Sequence, residues 1–111
     1  MTRPNNERRL YPRHEMSCPA RLVGEAGTLV ATGRTINISD GGLLLPVRPQ
    51  DRPPAGEIVD VKLSVPRSTP NTFLMQPFCS QAVVVRQEET PDGACHVAVR
   101  FDPPLDLDLE V

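Results

Sequence analysis

The sequence predicts an all-β domain, a six-stranded antiparallel β-barrel with a flexible N-terminal arm, and three observations carry that reading. Short runs of alternating apolar residues recur along the chain. The clearest, Glu57 to Val65, sets Val59, Val61, Leu63 and Val65 on one face and Asp60, Lys62 and Ser64 on the other. Thirteen prolines and seven glycines among 111 residues punctuate these runs, a density that strands and turns tolerate and helices do not. The links between runs are too short for crossovers, which makes the strands antiparallel. Closure into a barrel is preferred because it leaves no open edge.

The elements follow in order. Residues 1–16 are polar, basic and aperiodic, and read as an arm outside the core. Cys18, Ala20 and Leu22 alternate in a first strand that ends at the turn Gly24 to Gly27. A second strand runs from Thr28 to Ile38, with Ile36 and Ile38 pointing inward and Thr35, Asn37 and Ser39 outward. Asp40-Gly41-Gly42 is a turn, read from the tolerance of glycine for positive φ, and Leu43 to Leu45 continues as a buried strand. Arg48 to Gly56 is a proline-rich loop, Glu57 to Val65 a strand, and Pro66 to Asn71 a second loop, after which Thr72 to Met75 extend toward strand. Cys79 to Arg86 and Ala94 to Phe101 form the closing hairpin around a turn at Glu88 to Gly93. The domain thus divides into an arm over 1–16, a barrel over 17–102 and an acidic tail over 103–111.

Size and charge narrow the function. A chain of 12.2 kDa holds one modest core and no separate cofactor domain. Mean hydropathy of −0.28 and a polar opening, Thr2 to Arg9, argue against membrane insertion and a signal peptide and for a cytoplasmic protein. The net charge of −2 conceals a layout: residues 1–21 sum to +3, residues 22–87 to +1 and residues 88–111 to −6. Such a chain is no general DNA or RNA binder, yet its basic head suits a small anion.

Eleven of the twelve basic residues are arginine, whose planar fork pairs with phosphate and with guanine edges. Three dispersed cysteines, Cys18, Cys79 and Cys95, read as buried thiols in a reducing compartment rather than as a disulfide framework. Cys95-His96, even with His14 and Cys18, lacks the spacing of a metal site. Ser39, Asp40 and a histidine lack the nucleophile elbow of a hydrolase, so no catalytic residue is assigned.

Two segments stand out. Arg8-Arg9-Leu10-Tyr11-Pro12-Arg13 places two arginines four apart before the first strand, and Asn37-Ile38-Ser39-Asp40-Gly41-Gly42 ends a strand in a glycine turn. In this order and 24 residues apart, they resemble the paired signature of the PilZ domain, RxxxR followed by [DN]xSxxG. The resemblance covers nearly the whole chain, including the closing Val97-Ala98-Val99-Arg100-Phe101. It implies a stand-alone receptor that binds cyclic di-GMP on the outside of the barrel and needs no further cofactor. Arg9 and Arg13 would grip phosphate and guanine, Asn37 and Ser39 would face the ligand, and Gly41 and Gly42 would admit its close approach.

Arg8, directly before the motif, implies a stacked pair of nucleotides, two per chain. Ala98 and Arg100 lie on the presumed outer face of the last strand as further candidates, and Ala98 stands where relatives often have glycine. The C-terminal helix common in the family is not visible in the sequence. Ligand binding would order the arm and so present a new surface to an unidentified downstream protein. The alternative is a PilZ-like protein-interaction module that binds no nucleotide. A monomer is expected, with a dimer as the other possibility.

Overall fold

The computed structural model describes residues 11–109. Seven strands, β1 (Pro19–Val23), β2 (Leu29–Arg34), β3 (Asn37–Ser39), β4 (Gly42–Val47), β5 (Ile58–Ser68), β6 (Phe73–Glu89) and β7 (Cys95–Phe101), form one antiparallel sheet in the order β2-β1-β5-β6-β7-β4-β3. Its two outermost strands, β2 and β3, are consecutive in the chain with only Thr35 and Ile36 between them. The sheet must therefore curl until its edges meet. β2 lies beside β4 without a ladder, and the Ile36 N–H reaches the Leu44 carbonyl at 2.8 Å. Chain continuity, more than hydrogen bonding, closes the curl.

The seventh strand arises because the expected strand from Thr28 to Ile38 breaks at Thr35. That side chain turns inward: its hydroxyl accepts from the Cys18 N–H at 2.9 Å and donates to the Met16 carbonyl at 2.7 Å. The break resets the alternation. Ile38 is fully buried as expected, whereas Ile36 is 36% exposed and Thr35, expected outside, is buried; Ser39 keeps the outer face with Asn37 but is covered by the turn that follows it.

The interior is aliphatic. Val59, Val61, Leu63 and Val65 face Leu22, Leu43, Leu45, Val84, Val97 and Phe101. Two of the three cysteines, Cys18 and Cys95, are buried, and burial pushes the Cys18 thiol above its ordinary pKa. Cys79 is exposed, contrary to expectation, because it lies opposite Lys62 on the outer face of β6.

The loop expected at Pro66 to Asn71 is strand for its first three residues. β5 runs to Ser68, the turn closes on Thr69 and Thr72, and β6 begins at Phe73. Prolines 66 and 77 are tolerated there because β1 pairs with β5 no further than Leu63 and β7 pairs with β6 only from Ala82. The donors that proline lacks would have faced no neighbouring strand.

The ends of the described chain are tied to the barrel. His14 pairs with Ile38 through backbone bonds of 2.8 and 3.0 Å, and Met16 packs on the core. At the other end Leu107 is completely buried, Leu105 and Leu109 pack against the core, and no strand forms among the described residues beyond Phe101. Arg67 donates to the Asp108 carbonyl at 2.9 Å and to the Leu107 carbonyl. The segment read as an acidic tail is thus a row of leucines plugging the barrel end. Leu107→Ala should lower stability by about 2–5 kcal/mol in urea unfolding, the range for a buried leucine. An unchanged midpoint would remove residues 105–109 from the core.

Candidate functional site

The site is built around the turn that follows β3. Ser39 Oγ accepts from the Gly41 N–H at 3.1 Å and lies 3.4 Å from the Gly42 carbonyl, to which it donates. Asp40 ties the turn to the C-terminal segment: its carbonyl accepts from the Leu105 N–H at 2.8 Å and its Oδ1 from the Leu107 N–H at 2.9 Å. The Gly41 carbonyl accepts from the Phe101 N–H at 2.9 Å. The turn is therefore closed from within by Ser39 and held from outside by Leu105, Leu107 and Phe101.

The two glycines are needed for space, not for dihedral freedom. Positive φ among the glycines occurs at Gly27, Gly56 and Gly93, and at neither Gly41 nor Gly42, which corrects the reading from sequence. A Cβ on Gly42 would run into the Val99 carbonyl oxygen. One on Gly41 would sit 2.6 Å from the ring of Tyr11.

Cross-strand register carries this turn into a surface. One row crosses the outer face of the sheet through Asn37, Leu44, Ala98 and Arg86, and the next through Ser39, Gly42 and Arg100. Small residues at Gly42 and Ala98 make the middle concave, while Tyr11 and Arg13 rise at one side and Arg86 and Arg100 at the other. The result is a cleft of about 440 Å³, to which Val85, Asp102 and Pro104 also contribute. Arg13, Asn37, Ser39, Gly41, Gly42, Ala98 and Arg100, all singled out from sequence, line it together. Arg8 and Arg9 lie outside the described residues.

Sequence reasoning did not find Tyr11 or Arg86. Tyr11 stands inside the arginine motif, between Arg9 and Arg13, and its position was the available signal. Arg86 carried none. By simple alternation from Val84, which is buried, it belongs inside the barrel. A bulge lets Val84 pair with Val99 and Arg86 with Ala98, and the extra residue, Val85, turns Arg86 outward.

Electrostatically the cleft is positive, with Arg13, Arg86 and Arg100 against Asp102. Arg86 Nε donates to Glu88 Oε2 at 2.6 Å, and this bond holds the Glu88 carboxyl below its ordinary range. Among the described residues no group of His, Cys, Asp and Glu is placed to hold a metal ion. Likewise, no helix among them is long and apolar enough to cross a membrane. Forked cations around a small-residue floor suit an anion that carries flat rings.

Comparison with known proteins gives a family. The sequence model of the PilZ domain matches residues 7–110. Among solved structures, the chain resembles the Bacillus subtilis inhibitor of motility MotI/DgrA with a TM-score of 0.72 at 17% identity, over 97% of this chain and 46% of that one. It thus spans less than half the length of that protein. It also resembles the PilZ domain of Escherichia coli YcgR, solved with c-di-GMP, with a TM-score of 0.55 at 15% identity, over 85% of this chain and 77% of that one. No curated protein sequence matches the chain.

The crowding at the turn is measurable. Gly42→Ala should cost about 1–3 kcal/mol in thermal or urea unfolding, because the obstructing atom belongs to the backbone of β7. Gly41→Ala should cost less, since the exposed Tyr11 ring can swing away. Equal losses at the two positions would contradict this account.

Proposed function

Because the chain belongs to the PilZ domain family, we propose that it is a receptor for cyclic di-GMP, that the nucleotide occupies the cleft over β3, β4 and β7, and that the protein signals through a partner rather than by catalysis. One observation carries the reading: both parts of the paired signature that lie in the described chain, Arg13 from one and Asn37, Ser39, Gly41 and Gly42 from the other, line the same concave surface. Residues far apart in sequence meet where a ligand with two phosphates and two guanines would need them. The YcgR domain, whose solved form holds c-di-GMP, supports the choice of nucleotide.

The roles follow from chemistry. Arg13, with Arg9 from the preceding segment, supplies the forks for phosphate and for the guanine O6/N7 edge. Arg100 and Arg86 add charge across the cleft. Asn37 offers its amide to a base edge. Ser39 shapes the backbone instead, since its hydroxyl is engaged by Gly41 and Gly42. Ala98 and Gly42 leave room for a flat ring. The cleft has the volume of a single small-molecule site, so a second nucleotide would stack on the first with Arg8 against its guanine. Binding draws the segment bearing Arg8 and Arg9 over the cleft and changes the surface offered to a partner. Three free thiols accord with a reducing, cytoplasmic setting.

Calorimetry with cyclic di-GMP tests the reading. Arg9→Ala or Arg13→Ala should abolish measurable binding while the melting temperature stays at the wild-type value. Wild-type affinity in both variants would overturn the site. The stoichiometry is a separate outcome: two nucleotides per wild-type chain, falling to one in Arg8→Ala. A single nucleotide bound to the wild-type chain would overturn the pair and leave the receptor reading intact.

A further inference from the structure

Beyond Leu63 the hairpin of β5 and β6 leaves the rest of the sheet. Ser64 to Ser68 pair with Phe73 to Pro77 and with no third strand among the described residues. A two-stranded ribbon is marginal in water unless one of its faces is covered. The inner face of this ribbon is covered at Val65, which is fully buried, but its outer face exposes Phe73 (67%) and Met75 (39%), while Leu74, 52% exposed, lies on the inner side beyond Val65. The chain has only three phenylalanines, and one of them is at this tip. Leaving such a side chain in water forgoes about 1.5–3 kcal/mol of burial.

The apolar tip continues into a basic region on the same outer face. Met75 lies opposite Pro66, Pro77 opposite Ser64, and Cys79 opposite Lys62, which in turn lies opposite Arg21 of β1. Like charges directly opposite on neighbouring strands destabilise a sheet, yet Arg21 and Lys62 are both exposed and neither is in an ion pair among the described residues. Arg34 of β2, opposite Pro19, adds a third cation to this face. Asp60, in the adjoining row, forms no ion pair with any of them. Rows on one face repeat every ~6.8 Å, which puts Phe73 about 20 Å from Lys62.

We propose that this outer face is a docking surface for an acidic amphipathic helix of a protein partner, with its carboxylates on Arg21 and Lys62 and its apolar side chains on Met75 and Phe73. A helix of about 13 residues spans the distance. Docking through side chains, not through an added strand, follows from Pro66 and Pro77, which remove ladder donors from the ribbon. Charge complementarity selects the partner. An anionic membrane gains only about 1 kcal/mol per basic residue, against a chain whose net charge is −2. A two-fold pairing with a second copy over the same face sets the Arg21–Lys62 cluster against itself or against the apolar tip, and in neither case against a cluster of carboxylates. The surface shares no residue with the cleft, so it stands independently of nucleotide binding.

The test titrates the isotope-labelled full chain with a designed helical peptide of about 14 residues, glutamates toward one end and leucines toward the other. A lysine-for-glutamate version and phosphatidylserine-containing vesicles serve as competitors. The acidic peptide should shift the resonances of Arg21, Lys62, Met75 and Phe73 and bind more weakly as salt rises. Lys62→Glu and Phe73→Ser should each weaken binding about tenfold without lowering the melting temperature. No binding of the acidic peptide, or equal binding of the lysine version, overturns the proposal. So does preferential binding to vesicles, or a dimer that Phe73→Ser abolishes.

Discussion

The approach of β4 to β7 at Gly42 is the constraint on which the rest of the molecule depends. Where Gly42 meets the Val99 carbonyl there is no room for a side chain. That contact seats the turn preceding β4, and the turn is then gripped from three directions. Ser39 closes it from within, Asp40 binds the backbone of Leu105 and Leu107, and the Gly41 carbonyl takes the Phe101 N–H. Core, C-terminal segment and cleft floor thus meet at one tight turn. A change there is felt both as stability and as the shape of the cleft.

The closure of the sheet is the second consequence of a local choice. Thr35 buries its hydroxyl to satisfy Cys18 and Met16 and thereby ends β2, so that β3 starts on the far edge of the curled sheet. A buried backbone N–H and carbonyl without that partner would each carry a desolvation cost of about 1–3 kcal/mol. The same three residues hold the segment leading back to Arg13, which ties the entrance of the cleft to the closure of the barrel.

Much of the architecture was legible because alternation is a local signal. Val59 to Val65 and Cys95 to Phe101 lie as their patterns indicate, since a strand half-buried along its length must repeat every second residue. The failures share a cause. Pro66 marked a loop by propensity, yet it is harmless, like Pro77, on a ribbon whose edges have no neighbours. Leu105, Leu107 and Leu109 alternate as an edge strand would, but they plug the barrel end with no ladder at all. Ile36 fell on the wrong side and Arg86 gave no signal because a kink and a bulge each shift the phase by one residue, and neither leaves a trace in composition.

The order of residues alone therefore decided the all-β class, the strand faces and the spacing of two short motifs, because these rest on periodicity and on residue chemistry along the chain. Folding decided the rest. It made the glycines of the second motif matter for room rather than for rotation, and brought Tyr11 against Gly41. It also turned Arg86 outward to join Arg13 and Arg100 around one cleft. Those facts depend on cross-strand register and chain packing, which relate Arg86 to Ala98, 12 positions apart, and Gly42 to Arg100, 58 positions apart. No local pattern encodes a distance of that kind.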